Sequence, residues 1–262
     1  FQQANLLKTF AIHATMRTNF NALSTYHTGN YLFINRLTEK NFLKNLNPPL
    51  VNPALFLFFC PVNLSQFVDS NQKKMKRIAV FASGSGTNAE NFINYFRQSD
   101  SADIALILSD NPRARVLERA AKYSVPTVVF SREDLHSGKV LDKLEKNKID
   151  FIVLAGFLRL VPAEITRRYE KRIVNIHPAL LPAYGGKGMY GMNVHRAVIE
   201  AGEQESGITI HYVNEQYDSG DIIFQARTEV LEDDTPEELA ERVHALEYKY
   251  YPQVVDELVS AL

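Results

Sequence analysis

From Met75 onward, apolar runs of strand length alternate with segments that have the pattern of amphipathic helices. The predicted strands in this part are residues 77–82, 104–109, 127–130, 151–154 and 173–176. The predicted helices between them are residues 88–98, 115–123, 139–147 and 162–169. Because strands separated by helices of this length need right-handed crossover connections, this order predicts a parallel sheet. The predicted fold class is therefore α/β: a Rossmann-like, open, mostly parallel sheet with helices on both faces.

The pattern changes towards the C-terminus. Residues 207–213 (GITIHYV) and 222–228 (IIFQART) read as strands joined by the polar segment NEQYDSGD, which predicts a smaller antiparallel edge. The sequence TPEE at residues 235–238 is a capping box with proline at the first helical position, and it begins a long final helix. This part has no internal repeat, so we expect residues 75–262 to form one domain.

Residues 1–74 differ from the rest of the chain in composition. They hold seven Lys or Arg residues against two acids, Glu39 and Asp69, so their net charge is +5, whereas the whole chain has −1. They show no sustained helical or strand period, and Met75 stands directly before a well-formed strand. We expect this segment to be non-native upstream sequence, an organelle transit segment or a disordered extension, and we assign it no chemistry.

The composition narrows the possible partners. A net charge of −1 provides no whole-protein field that would attract nucleic acid. No apolar run reaches the roughly 18 to 20 residues of a membrane helix. The single cysteine, Cys60, excludes an intrachain disulfide and fits a reducing compartment. We therefore expect small-molecule substrates rather than nucleic acid or membrane. The expected location is cytoplasmic, or a plastid or other organelle if residues 1–74 are a transit segment.

The strongest chemical signal is VNIHPALLP at residues 174–182, together with Asp218 further along the chain. Asn175 and His177 lie two positions apart at the end of an apolar run, so both side chains point to one face where the strand ends. Open α/β sheets bind ligands at this edge. An amide and an imidazole can stabilise an oxyanion and move protons, and an acid from a second loop can hold the imidazole protonated. The pattern predicts an enzyme of acyl-type transfer.

The segment SGSGTN at residues 83–88 lies between the first predicted strand and the first predicted helix. Free amides at the start of a helix can hold a phosphate, and the small polar side chains favour a single terminal phosphate. The same region also fits the dinucleotide pattern G-x-G-x-x-A, with Asp110 as the ribose-binding acid. A merely tight turn is the third interpretation.

Two further segments could contribute to a cleft. In AGFLRLVP, residues 155–162, Gly156 would let a flat ring approach the backbone beside an apolar slot, with Arg159 outside it; an ordinary connection is the alternative. In the final helix, His244 and Glu247 lie on one side, either on a solvated face or directed into a cleft. We interpret His195 and His211 as core or surface histidines. No spacing of His, Cys and acidic residues resembles a metal site.

The motifs together resemble the phosphoribosylglycinamide formyltransferases, a family of purine biosynthesis. SGSGTN, LAGFLRL, VNIHPALLPAYGGKG, GITIHYV and YDSGDII occur in the order and spacing of that family, over residues 75–262 but not 1–74. The resemblance implies the formyltransferase fold. It also implies that 10-formyltetrahydrofolate, as co-substrate, gives its formyl group to the amine of glycinamide ribonucleotide, through a tetrahedral intermediate and without a metal.

The resemblance also implies roles for individual residues. The implied catalytic residues are Asn175, His177 and Asp218. The implied ribonucleotide-binding residues are Gly86, Thr87, Asn88 and Glu247. The implied folate-binding residues are Leu158, Arg159, Leu160, Val161 and Asn175.

Two departures from the family pattern and several alternatives stay open. The loop at residues 185–193 is longer than the commonest form, and a basic residue that the family often carries aligns only loosely, with Lys139 as a candidate. The same constellation would serve a formyltetrahydrofolate hydrolase. A Rossmann protein that binds a nicotinamide dinucleotide is the alternative from another class. The chain is expected to be a monomer or a homodimer.

Overall fold

The computed structural model describes residues 75–262, and seven strands of this part form one sheet in the order β3-β2-β1-β4-β5-β6-β7. The strands are β1 (Lys76–Phe81), β2 (Ala102–Ser109), β3 (Thr127–Val129), β4 (Phe151–Leu154), β5 (Ile173–His177), β6 (Glu205–Tyr212) and β7 (Ile222–Glu229). The pairs from β3 to β5 are parallel, whereas β5–β6 and β6–β7 are antiparallel. The predicted mostly parallel α/β sheet with an antiparallel edge near the C-terminus is confirmed.

The strand order reverses direction at the middle of the sheet. The chain first builds outward from β1 to β2 and β3, and then returns to place β4 on the other side of β1. The connection after β1 and the connection after β4 leave towards opposite faces of the sheet. They create a crevice at the carboxyl ends of these two strands, which is where doubly wound sheets bind ligands. The connections that follow β1 and β4 are those that carry two of the motifs.

Seven helices cover the two faces of the sheet in the described residues. They are α1 (Thr87–Phe96), α2 (Arg115–Lys122), α3 (Arg132–His136), α4 (Lys139–Lys146), α5 (Ala163–Arg168), α6 (Met192–Glu200) and α7 (Pro236–Ser260). One buried cluster joins the sheet to α1, α2, α6 and α7 through residues such as Phe92, Val116 and Val198. The other joins it to α3, α4 and α5 through Leu135 and Leu144. Helices therefore lie on both faces, as the sequence pattern predicts.

Two helices were not predicted from the sequence. The five-residue helix α3 is held at its N-terminus by a capping box, in which the Ser131 hydroxyl accepts from the Asp134 amide and the Asp134 carboxylate accepts from the Ser131 amide. Helix α6 follows the glycine-rich loop and contains the buried residues Val194 and His195. Val194, Ala197 and Val198 have helical spacing, so the sequence contained a signal for this short helix that the interpretation above missed.

The final helix α7 is anchored to the sheet and to α1. Its predicted capping box is present, because the Thr235 hydroxyl accepts from the Glu238 amide. The fully buried Tyr251 donates its hydroxyl hydrogen to the carbonyl oxygens of Leu154 (2.9 Å) and Val174 (3.2 Å), in β4 and β5. This anchoring places the preceding turns of α7, which carry His244 and Glu247, over the carboxyl ends of these strands.

The predictions for residues 1–74 lie outside the residues that the structure describes. Within residues 75–262, no helix combines the length and the apolar character that crossing a membrane requires.

Candidate functional site

A cavity of about 680 Å³ opens at the carboxyl ends of β1, β4 and β5. The connections after these strands supply most of its wall, and α6, α7 and the β6–β7 connection supply the rest. All the catalytic and binding residues that the resemblance implies line this cavity: Gly86, Thr87, Asn88, Leu158, Arg159, Leu160, Val161, Asn175, His177, Asp218 and Glu247. The structure therefore brings the three groups of motifs into one site.

The start of α1 forms one end of the cavity. Gly86 is the N-cap of α1 and adopts φ +72°, a left-handed conformation that glycine adopts at little cost. A β-carbon at Gly86 would lie 2.4 Å from the β-carbon of Val116 in α2, so the close packing of the two helices also requires glycine. The first amides of a helix have no partner within the helix, and those of Thr87 and Asn88 lie at this cavity end. The geometry suits an anionic group.

His177 lies at the centre of the cavity wall and is almost completely buried. Its Nε2–H donates to the carbonyl oxygen of Tyr184 at 2.7 Å, and its Nδ1 lies 3.5 Å from a carboxylate oxygen of Asp218. Burial lowers the pKa of His177 below its usual value, although the negative charge of Asp218 and the bond to Tyr184 oppose this effect. Asp218 therefore raises the tendency of His177 to be protonated, as expected, although burial has the larger effect on the pKa of the ring in this structure.

Asp218 is held in its ionised form. Burial raises its pKa, but interactions with His211, the Gly186 amide (2.9 Å) and His177 together outweigh burial and leave the pKa of Asp218 lowered. The residue lies in the β6–β7 connection with φ +50°, which places its carboxylate between the two histidines. A carboxylate beside a neutral imidazole can stabilise the imidazolium that forms when His177 takes up a proton.

Asn175 is oriented by a histidine that was assigned to the core or surface. In the antiparallel pair β5–β6, Asn175 lies opposite His211, and its Nδ2 is 3.1 Å from Nε2 of His211. Since Nδ1–H of His211 donates to the Tyr212 carbonyl at 2.8 Å, a neutral His211 has its lone pair on Nε2 and accepts from Asn175. A second amide hydrogen of Asn175 points to Asp218 at a long 3.4 Å. The NH₂ group of the Asn175 amide therefore faces His211 and Asp218.

Helix α7 completes the cavity end that contains the start of α1. Nδ2 of Asn88 donates to Oε2 of Glu247 at 2.8 Å, so the carboxylate links α7 to the start of α1. Burial raises the pKa of Glu247, against the lowering effects of Asn88 and His244. Of the two interpretations of His244 and Glu247, the cleft is therefore correct. His195 also lines this end; it is buried, as a core histidine would be, but its place at the cavity was not predicted from the sequence.

The connection after β4 forms the opposite end. Gly156 has φ +72°, and the Leu158 amide donates to the hydroxyl oxygen of Ser83 at 3.2 Å. Leu158 and Leu160 are exposed and present an apolar surface to the cavity. Arg159 also lines the cavity, which corrects the expectation from the segment pattern that it lies outside the slot.

Asp110 and Lys139 do not belong to the cavity wall. Asp110 forms an ion pair of 2.5 Å between its Oδ2 and Nε of Arg159, while its Oδ1 is buried without a hydrogen-bond partner. Lys139 lies at the start of α4 and pairs with Asp134 at 2.8 Å on the surface. In residues 75–262 there is also no cluster of three or more His, Cys, Asp or Glu residues arranged to hold a metal ion.

This fold and this site are those of a group transferase, and the chain belongs to the formyl transferase family, whose sequence profile matches residues 76–255. It is similar to a protein of Arabidopsis thaliana named phosphoribosylglycinamide formyltransferase, chloroplastic, with 42% identity over 193 residues. That match covers 71% of this chain and 66% of the relative. A phosphoribosylglycinamide formyltransferase of Bacillus subtilis is 37% identical over 71% of this chain and 95% of its own length.

Solved structures give the same result. Glycinamide ribonucleotide transformylase 1 of Geobacillus kaustophilus is 40% identical with a TM-score of 0.65, over 71% of this chain and 99% of that protein. The phosphoribosylglycinamide formyltransferase of Anaplasma phagocytophilum is 35% identical with a TM-score of 0.66, over 72% and 89%. The resemblance recognised in the motifs is thereby confirmed. The matched part spans less than two thirds of the length of the two plant relatives, at 66% and 61%.

Proposed function

We propose that this protein transfers the formyl group of 10-formyltetrahydrofolate to the amine of glycinamide ribonucleotide. The observation that carries the proposal is the convergence of Asn175, His177 and Asp218 at the middle of one cavity. The relatives named phosphoribosylglycinamide formyltransferase support the choice of reaction and of the ribonucleotide. The folate in this proposal is a co-substrate that enters and leaves.

The two ends of the cavity suit the two substrates. The amides of Thr87 and Asn88 would bind the phosphate of the ribonucleotide, and Glu247 would accept hydrogen bonds from its polar groups. The apolar surface from Leu158 to Val161 would contact the flat ring of the folate, while Arg159 contributes positive charge on this side. Binding at both ends brings the amine and the formyl carbon together at His177, which lowers the entropic part of the barrier.

The reaction forms one bond and breaks one bond. The amine nitrogen attacks the formyl carbon, and the carbonyl oxygen becomes an oxyanion on a tetrahedral carbon. The donor side of the Asn175 amide can hydrogen-bond to this oxyanion once its long contact with Asp218 is released. The carbon–nitrogen bond to the folate then breaks, and the proton lost by the amine balances the proton gained by the folate nitrogen.

His177 is suited to move this proton because it is neutral at rest. A neutral ring that donates Nε2–H to Tyr184 has its lone pair on Nδ1, so it takes up the proton there, 3.5 Å from the carboxylate of Asp218 that then stabilises the imidazolium. The charged ring can donate to the oxyanion and afterwards to the leaving nitrogen. For Nε2 to reach the substrate, its hydrogen bond to the Tyr184 carbonyl must be exchanged. We therefore expect the glycine-rich loop after Tyr184 to move when the substrates bind.

A formyl-transfer assay on the full chain tests the proposal. It uses 10-formyltetrahydrofolate with and without glycinamide ribonucleotide, and compares the wild type with His177→Ala. Folate turnover should require the ribonucleotide and fall about 10²–10³-fold in the variant, the usual effect of losing one donor to an oxyanion. His136→Ala, which changes an exposed histidine at the end of α3, is the control and should keep the wild-type rate.

Other outcomes would select the alternatives. Turnover that proceeds equally well without the ribonucleotide would identify a formyltetrahydrofolate hydrolase. If folded protein shows no turnover but quenches or enhances the fluorescence of a reduced nicotinamide dinucleotide, the dinucleotide alternative takes its place. The position of Asp110 argues against this last outcome, because the acid that would bind the ribose does not line the cavity.

The cellular location of the proposed reaction depends on whether residues 1–74 are a targeting segment. A cytoplasmic location is proposed if this segment is not a targeting signal. A plastid location is the alternative, because the similar protein of Arabidopsis thaliana is named chloroplastic. The cavity is enclosed by residues of one chain, so either a monomer or a homodimer could carry out the reaction.

A further inference from the structure

His195 is a buried histidine without a partner in the protein. It lies in the first turns of α6, lines the cavity and is only 1% exposed. Its Nδ1 is buried and has no hydrogen-bond partner. Among the described residues, Nε2 has no hydrogen bond either, so the whole imidazole is unpaired at the wall of the cavity. The reaction proposed above makes no use of this side chain.

An unpaired imidazole at this position is unfavourable for folding. Burial removes the hydrogen bond that Nδ1 would make with water, and no protein group replaces it. Buried polar groups in folded proteins are generally paired, and an exception calls for an explanation such as a bound ligand. An apolar side chain would fill the same space without this cost. The geometry of the free protein alone therefore does not account for a histidine here.

The surroundings of His195 indicate which chemistry it would bind. Burial, followed by the neighbouring His244 and His177, lowers the pKa of His195 to about 4, so the ring is neutral near pH 7 and one nitrogen is an acceptor. The ring lies edge-on to that of His244, with 6.4 Å between their centroids. His244 is one turn of α7 before Glu247, whose carboxylate binds Asn88.

A second unpaired acceptor lies at the same end of the cavity. Oδ1 of Asn88 is buried without a partner, while Nδ2 of the same amide is used by Glu247. The cavity end thus combines three kinds of acceptor: an amide oxygen, a carboxylate and the neutral imidazole of His195. Such a set matches a ligand that carries several O–H or N–H donors, and it does not match a second phosphate or carboxylate.

We propose that His195 binds the ribonucleotide directly, by accepting a hydrogen bond from an O–H or N–H group that lies between the phosphate and the reacting amine. The inference rests on the proposed function, because it takes the phosphate to lie at Thr87 and Asn88 and the amine to lie at His177. In this arrangement the ribose hydroxyls and the glycinamide nitrogens are the donors that pass the ring. His195 is then a binding residue for one substrate and has no contact with the folate.

Calorimetric titrations of the full chain test this assignment. The probes are glycinamide ribonucleotide, ribose 5-phosphate, inorganic phosphate and 10-formyltetrahydrofolate. The proteins are the wild type, His195→Leu, His195→Asn and the control His136→Leu. His195→Leu should weaken ribonucleotide binding about tenfold, whereas its affinities for inorganic phosphate and for the folate should stay within about twofold of wild type. His195→Asn keeps an acceptor near Nδ1 and should recover part of the lost affinity.

Ribose 5-phosphate separates the two possible donors. If its affinity also falls in His195→Leu, the ring binds a ribose hydroxyl, and if it does not, the ring binds the glycinamide part. The melting temperature without ligand gives an independent readout. It should stay equal or rise in His195→Leu, because the substitution removes an unpaired buried group. His136→Leu should change neither the affinities nor the melting temperature.

The failures of the two proposals can be distinguished. If the wild type binds no ribonucleotide, the proposed function itself is wrong. If the wild type binds it and His195→Leu binds it equally tightly, the assignment of His195 is wrong while the proposed function stands. A fall in melting temperature in His195→Leu, with equal loss of affinity for all four probes, would also overturn the assignment. That result would make His195 a structural residue.

Discussion

At the scale of single residues, the site depends on a balance between burial and charge at His177. Desolvation lowers the pKa of His177, and Asp218 is the charge that opposes this effect. A ring that is neutral at rest can take up a proton during the reaction, provided that a carboxylate is present to stabilise the charged form. In the proposed mechanism, Asp218 therefore favours the protonated form of His177 during the transfer.

The first prediction follows from this balance. Asp218→Asn keeps an acceptor for the Gly186 amide but removes the negative charge beside His177. We expect the rate of formyl transfer to fall about 10²–10⁴-fold, because general acid–base catalysis of this size is lost. Asp221→Asn, at a nearby exposed acid, is the matched control and should keep its activity. Equal activity of the two variants in the transfer assay would show that Asp218 has no role in proton movement.

The second prediction concerns the glycine at the start of α1. Gly86→Ala places a side chain on a residue with φ +72° and against Val116, so we expect a loss of about 1–3 kcal/mol in unfolding free energy. Gly84→Ala is the matched control, because a β-carbon there would meet nothing within 4 Å and Gly84 has no positive φ. Urea unfolding of both variants measures the difference. The explanation is wrong if both variants unfold at the same urea concentration.

At the scale of elements, helix α7 contains an internal proline whose cost is partly offset by a neighbouring helix. Pro252 has no amide hydrogen, so the carbonyl of Tyr248, four residues earlier, lacks its usual partner in the helix. Nδ2 of Asn91 in α1 donates to this carbonyl at 2.9 Å. The contact joins helix α1, which begins at Thr87, to helix α7, which carries Glu247.

The third prediction is a coupling between these two positions. Asn91→Ala should lower the unfolding free energy by about 0.5–1 kcal/mol, the usual net value of one hydrogen bond. In Pro252→Ala the new amide can bond to the Tyr248 carbonyl, so the same Asn91 substitution should cost less. A double-mutant cycle measured by urea unfolding gives the coupling energy. Equal costs in both backgrounds would mean that Asn91 does not replace the missing helical hydrogen bond.

At the scale of the whole molecule, the buried histidines make stability depend on pH. The pKa of His195 is lowered from 6.5 to about 4 in the folded protein, and that of His177 is lowered as well. Between pH values of about 4 and 6.5, the side chain of His195 binds a proton in the unfolded chain but not in the folded chain. The unfolding free energy must therefore decrease as the pH falls from about 6.5 towards about 4. The lowered pKa of Asp218 acts in the same direction at still lower pH.

The fourth prediction measures this dependence. The urea midpoint of the wild type should be lower at pH 5 than at pH 7.5, and the difference should be smaller in His195→Leu. The substitution removes a group that only the unfolded state protonates in this range. His136→Leu, at an exposed histidine, should behave like the wild type. A pH dependence that is unchanged in His195→Leu would show that other groups cause the loss of stability in acid.

The sequence was sufficient for the parallel sheet, its antiparallel edge and the place of the site. Strands such as residues 151–154 and 173–176 are buried on both faces of the sheet. Because both faces are buried, these strands consist mostly of apolar residues and can be recognised in the sequence as short apolar runs. A motif that directly follows such a run must lie at the carboxyl end of a strand. This is why Asn175 and His177 could be placed at a ligand-binding edge without any coordinates.

Only the tertiary structure decided which further side chains share the cavity and which of them carry charge. His211 reaches Asn175 because β5 and β6 pair in one particular register, and His195 reaches the wall because α6 packs beside α7. The protonation of His177 depends on how much water its burial removes and on distances to residues far away in the chain. Periodicity records which face of an element is buried, but it does not record these distances, so the electrostatics of the site could not be read from the sequence.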